Sequence, residues 1–194
     1  MVLNFPRSAL IIIDVQNDFC PGGALSVEGG DEVIAPLNSL SSLFAAAGGR
    51  VVATQDWHPA GHVSFGIWPE HCVCGEKGAE LHSALDLKNI NLIIRKGFRI
   101  NLDSYSAFFE NDRETSTGLD GYLKALSIDT LVLGGLATDY CVLYSALDAV
   151  KLGYKTIVAS DAVRGVNYPA NSVELALKQL KEAGVVLAAP GEIQ

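Results

Sequence analysis

The run Ala9-Leu10-Ile11-Ile12-Ile13-Asp14 decides the fold. Five consecutive apolar residues, three of them β-branched, suit a strand buried on both faces, the situation inside a parallel sheet. Asp14 then stops the run with a carboxylate. Downstream, short β-rich runs alternate with helical patterns. After the glycine-rich stretch 22–30 a helix is expected to start at Asp31, a good N-cap residue. Val33, Leu37, Leu40 and Phe44 follow at helical spacing, and Gly48-Gly49 ends the pattern. Further strands are expected over 51–54, 90–95, 130–134, 155–159 and 185–188, and further helices over 119–126, 138–152 and 169–183. Alternation at these lengths predicts an α/β fold, doubly wound, with a six-stranded, mostly parallel sheet between two helical layers.

Between the second and third strands lie about 35 residues with little helical periodicity, holding both tryptophans and all four histidines. A loop of that length is usually functional or disordered, and its aromatic and histidine content favours function. The 194 residues are expected to form one domain, 1–194, with this segment, about 55–89, as an insert for metal and substrate. No G-x-G-x-x-G follows any strand, so a dinucleotide-binding domain is not expected.

Composition narrows the partners. Apolar residues make up 49%, enough to bury a core without disulfides. Fourteen basic residues stand against 22 acidic ones, a net charge of −8, which disfavours both nucleic acid and anionic membranes. No stretch approaches the ~20 apolar residues needed to span a bilayer. The run at 9–13 is too short for a signal peptide and no cleavage pattern follows it. The cysteines, at 20, 72, 74 and 141, lack the spacing of a secreted framework, so free thiols in a reducing cytoplasm are expected.

In open α/β sheets ligands bind beyond the carboxyl ends of the strands. Four reactive residues fall on that rim: Asp14 closes strand one, Asp56 follows strand two, Lys96 follows strand three, and Cys141 lies just past strand four in the first turn of a helix. A free cysteine is ordinarily a small buried hydrophobe. At a helix N-terminus, however, orphan N–H groups and the helix dipole favour a thiolate and could hold an oxyanion, so Cys141 is the expected nucleophile. Asp14 is the expected base for its proton, with Lys96 compensating the charge. Asp56 and His58 stand two apart on an extended segment, followed by His62 and His71. Mixed oxygen and nitrogen donors suit zinc, iron or manganese with open positions. Cys72-Val-Cys74 beside His71 has no second cysteine pair to complete a structural zinc site. His82, in what reads as a polar helical stretch, is expected to be solvated.

Several motifs, in order across residues 9–165, resemble a known family. They are Asp14-Val15-Gln16-Asn17-Asp18-Phe19-Cys20, Gln55-Asp56-Trp57-His58-Pro59-Ala60-Gly61-His62, Trp68-Pro69-Glu70-His71-Cys72, Lys96-Gly97, Asp103-Ser104-Tyr105-Ser106-Ala107-Phe108 and Gly134-Gly135-Leu136-Ala137-Thr138-Asp139-Tyr140-Cys141. Together they resemble the nicotinamidases (pyrazinamidases) of the isochorismatase-like cysteine hydrolases. The resemblance implies strand order 3-2-1-4-5-6 and hydrolysis of nicotinamide to nicotinate and ammonia through a cysteine thioester. It further implies a triad of Asp14, Lys96 and Cys141, and one divalent metal, zinc first and iron or manganese after it, on Asp56, His58 and His71. His62 would be a fourth ligand in some members and a supporting group in others. Phe19 and Trp68 would flank the pyridine ring, with Tyr105 near it. A cis peptide at Leu136–Ala137 would turn the N–H groups of Ala137 and Cys141 toward the oxyanion.

The partner is then a neutral small molecule, nicotinamide, and a homo-oligomer is compatible with the sequence. Three other readings compete. One is a related cysteine amidase acting on a carbamoyl or ureido substrate, which needs no metal to hold a pyridine ring. Another is a metallohydrolase in which metal-bound hydroxide attacks and Cys141 is structural. The third is a non-catalytic binding or oligomerisation module on the same fold.

Overall fold

The computed structural model describes residues 2–194. Its six strands are β1 Ser8–Ile13, β2 Arg50–Asp56, β3 Leu92–Lys96, β4 Thr130–Leu136, β5 Lys155–Arg164 and β6 Val186–Ala188. They form one sheet in the order β3-β2-β1-β4-β5-β6, and every neighbouring pair is parallel. The long helices are α1 Ile34–Ala46, α2 Leu119–Ala125, α3 Leu143–Lys151 and α4 Ser172–Glu182.

Side-chain alternation along β1 divides the core. Leu10 and Ile12 pack on one face with Leu37, Leu40 and Phe44 of α1. Ala9, Ile11 and Ile13 pack on the other with Leu123 of α2, Ala146 and Ala149 of α3, and Leu180 of α4. All six residues of β1 are buried, as its uninterrupted apolar run requires. Truncating Phe44, which is fully buried, would cost about 3–5 kcal/mol.

Element boundaries differ from the sequence pattern where local chemistry intervenes. Asp31 does not cap α1. A 3-10 turn, Gly30–Val33, comes first, and α1 begins at Ile34. Pro36 has no N–H to give the carbonyl of Glu32, so the α ladder cannot reach back to that turn. The segment expected as one helix over 138–152 splits into a π turn, Thr138–Val142, and α3. The N–H groups of Tyr140 and Val142 both donate to the carbonyl of Ala137, which widens that turn.

β5 runs on past Ala159 to Arg164, with exposed Ser160 and Asp161 in its middle. Those polar residues read as a stop. In the fold they lie past the β5–β6 pairing, which ends at Ala159, and beside a register shift against β4. The stretch around His82 is not helical, and its N–H instead donates to the carbonyl of Val15. Between β2 and β3 the chain carries three short 3-10 turns, Val63–Gly66, Lys77–Ala79 and Leu87–Asn89.

Candidate active site

Sheet register brings the first pair together. Asp56 and Lys96 are partners in the β2–β3 ladder, so their side chains leave the same face at the same height. Lys96 is fully buried and reaches Asp56, Asp14 Oδ2 at 2.9 Å, the Ser104 carbonyl at 2.8 Å and Cys141 Sγ at 3.5 Å. Asp14 follows β1 directly, and Thr54 of β2 donates its hydroxyl to Asp14 Oδ1 at 2.6 Å. The same hydroxyl accepts from the Asp14 N–H at 3.1 Å. Three strand ends thus fix Asp14, Asp56 and Lys96 against the thiol, as the rim argument predicts.

Electrostatics separate the two carboxylates. Burial raises the pKa of Asp14, and Lys96 only partly offsets it, while the nearby charge of Asp56 adds to the rise. Burial also pushes Asp56 up, but Lys96 first and the neighbouring imidazoles of His58 and His71 after it overcome that and hold the carboxyl well below its usual range. Burial favours the neutral amine of Lys96, yet its two carboxylates push its pKa well above the ordinary lysine value. Cys141 departs from expectation. Burial raises its pKa well above that of a free thiol, Lys96 pulls the other way, and a hydrogen bond to Asp14 holds the proton on sulfur. Burial is the largest of these influences. That direction favours a thiol at rest beside Asp14.

The histidines lie beside this cluster. His58 Nδ1 hydrogen-bonds to the Gly97 carbonyl at 2.8 Å, and its buried Nε2 has no hydrogen-bond partner. His71 Nδ1 bonds the Pro69 carbonyl at 2.7 Å. Both bonds select the tautomer that offers a lone pair at Nε2, as metal-binding imidazoles require. Ligand atoms of Asp56, His58 and His71 lie within 4.8 Å of one another. Asp56 faces Lys96 with Oδ1 and leaves Oδ2 at 3.7 Å from His58 Nε2. A buried, unpartnered imidazole nitrogen beside an ionised carboxylate oxygen and a second imidazole fits a divalent cation.

His62 stands apart from that set. Its Nδ1 accepts from the Ser64 N–H and bonds the Ser64 hydroxyl, while its Nε2 meets the Leu102 carbonyl at 3.2 Å. Its ring stacks on His58 at 4.1 Å between centroids. In this arrangement it groups with His58 and Asp103 rather than with Asp56 and His71.

A small pocket opens onto Cys141 and Asp56. Phe19, Trp68, Tyr105 and Ala137 line it, all singled out from the sequence. Trp68 donates Nε1–H to the Tyr105 hydroxyl at 3.2 Å, and Tyr140 meets the Trp68 ring edge-on at 5.0 Å. The Leu136–Ala137 peptide is cis. Leu25, Asp103, Tyr140 and Val166 also line the pocket and were given no role from the sequence. Asp103 and Tyr140 sit inside quoted motifs, so a signal existed for them. An isolated valine and a leucine in irregular chain carry none.

With this geometry in place, comparison with known proteins decides the lineage. A model of the isochorismatase domain matches residues 8–189. The chain belongs to the isochorismatase family. Within the family it is 46% identical to the nicotinamidase of Acinetobacter baylyi, covering 91% of this chain and 90% of that one. Among solved structures, the PnC1 protein of L. infantum in complex with nicotinate superposes with a TM-score of 0.94 at 39% identity, over 100% of this chain and 98% of that one. The pyrazinamidase of Pyrococcus horikoshii in complex with zinc superposes with a TM-score of 0.86 at 37% identity, over 95% and 99%. Among the described residues, no helix is long and apolar enough to cross a membrane.

Proposed function

We propose that this chain is a nicotinamidase, a hydrolase that cleaves the carboxamide C–N bond of nicotinamide to give nicotinate and ammonia, and that treats pyrazinamide in the same way. One observation carries the reading. A buried Asp14–Lys96–Cys141 cluster opens into an aromatic-walled pocket that also holds Asp56, with His71 in its wall and the unpartnered His58 Nε2 close by. Residues 1–194 act as one catalytic domain, with the segment at about 55–89 as its insert for metal and substrate. Four free thiols fit a reducing cytoplasm.

Asp14, whose raised pKa makes it the stronger proton acceptor, takes the proton of Cys141 as sulfur attacks the carboxamide carbon. The carbonyl oxygen becomes an oxyanion, received by the N–H groups of Ala137 and Cys141, each such donor being worth about 3 kcal/mol. Asp14 returns the proton to nitrogen, the C–N bond breaks, and ammonia leaves a nicotinoyl thioester on Cys141. Asp14 then takes a proton from water, the resulting hydroxide displaces sulfur, and nicotinate departs as the thiol is restored. Lys96 stays charged throughout and keeps Asp14 oriented. Phe19 and Trp68 hold the flat ring, with Tyr105 beside it. Asp56, His58 and His71 would hold a divalent cation, zinc before iron or manganese, which would supply a Lewis acid for orienting the substrate ring.

The test is ammonia release from nicotinamide by the zinc-loaded protein, with nicotinate measured in parallel. Equal amounts of both products support the reading. A protein that holds zinc and releases neither overturns it.

A further inference from the structure

Asp139 is a buried carboxylate two residues before Cys141, and the mechanism makes no use of it. Its bonds all run to one neighbouring segment. Oδ1 accepts from the Val166 N–H at 3.0 Å, and Oδ2 accepts from the Asn167 N–H at 2.9 Å and the Ser172 hydroxyl. Val166 lines the substrate pocket together with Cys141. Ser172 is the first residue of α4. One side chain therefore ties the nucleophile's turn, a wall of the pocket and a helix start to each other.

Two further contacts press the same segment inward. Tyr140, also in the pocket lining, donates its hydroxyl to the Tyr168 carbonyl at 2.5 Å. Gly165 lies so close that a Cβ there would stand 2.3 Å from Val173 Cγ2 and 2.9 Å from Asp139 Oδ1. The segment 165–172 is thus held on the turn by side-chain hydrogen bonds from Asp139 and Tyr140, with no room for a side chain at Gly165.

We propose that Asp139 is a positioning residue that sets the width of the slot between Val166 and Cys141, and so selects a flat amide. This rests on the amidase reading above. Losing the clamp would let the wall retreat, and misplacement of a bound substrate by about 1 Å can cost on the order of 100-fold in rate. A wider slot would favour bulkier rings over nicotinamide and would expose the sulfur.

The experiment compares wild type, Asp139→Asn and Ser172→Ala. Asparagine keeps the shape but turns an NH2 group toward backbone donors, while Ser172→Ala removes a single bond. Two quantities are read: the kcat/KM ratio of nicotinamide to ring-methylated nicotinamide, and the rate of Cys141 alkylation by iodoacetamide, located by mass spectrometry. For Asp139→Asn the ratio should fall about tenfold and alkylation should quicken at least about threefold, with Ser172→Ala moving both the same way by less. A folded Asp139→Asn with both quantities within about twofold of wild type overturns the proposal. If Asp139→Asn does not fold, an unchanged Ser172→Ala does so. If wild type fails to hydrolyse nicotinamide, the functional reading falls, and the alkylation rates still decide whether the clamp exists.

Discussion

The strand rim and the loop between β2 and β3 hold their reactive groups in different ways. Asp56 and Lys96 are partners in a hydrogen-bonded ladder, and Asp14 is tied to Thr54 on the neighbouring strand. Their positions follow from the sheet itself. His71 is oriented by the carbonyl of Pro69, two residues away in the same loop, and His58 by that of Gly97 beyond β3. The rim is preorganised by the core, whereas the loop side chains have one anchoring bond each and need a cation to complete them. On the proposed reading Asp14, Lys96 and one metal ligand, Asp56, are fixed by the sheet, whereas the other two proposed ligands, His58 and His71, are carried by irregular chain.

Three substitutions probe that contrast, and the largest effect belongs to the rim. Lys96→Met should cost about 3–5 kcal/mol of stability, because it strands two buried carboxylates without their cation. Urea denaturation measures this, and a loss below about 1 kcal/mol would mean that the rim is not held by its charges. Next comes Gly97→Ala, where a Cβ would lie 2.6 Å from His58 Cε1 at a φ of +62°. It should lower zinc affinity about 10–100-fold in chelator competition while leaving Cys141 alkylation near the wild-type rate. Equal damage to both would merge the two regions into one unit. The smallest effect is expected from Thr54→Val, which removes the hydroxyl bonded to Asp14. It should cost about 1–3 kcal/mol with zinc affinity unchanged.

The same contrast explains what the sequence disclosed. Strands buried on both faces announce themselves through runs such as Ala9–Ile13, and residues at their ends inherit a common rim, so Asp14, Asp56, Lys96 and Cys141 could be brought together before any coordinates. Pocket walls built from irregular chain were not legible: Leu25 and Val166 are ordinary apolar residues with no period to place them. A helix N-terminus favours a thiolate at Cys141, and only the structure reveals how completely the sulfur is desolvated, which favours the thiol whose proton Asp14 is expected to take. His58, His62 and His71 looked equivalent on spacing. They separate once Ser64 and Leu102 are seen to occupy both nitrogens of His62.

The central claim is that Cys141, delivered to the rim by the turn after β4, forms a covalent bond to the acyl group. Mass spectrometry of the zinc-loaded enzyme, acid-quenched during turnover of nicotinamide, tests it most directly. The account predicts a nicotinoyl group on the peptide containing Cys141 and on none containing Cys20, Cys72 or Cys74. Sustained turnover with every Cys141 peptide unmodified would contradict it.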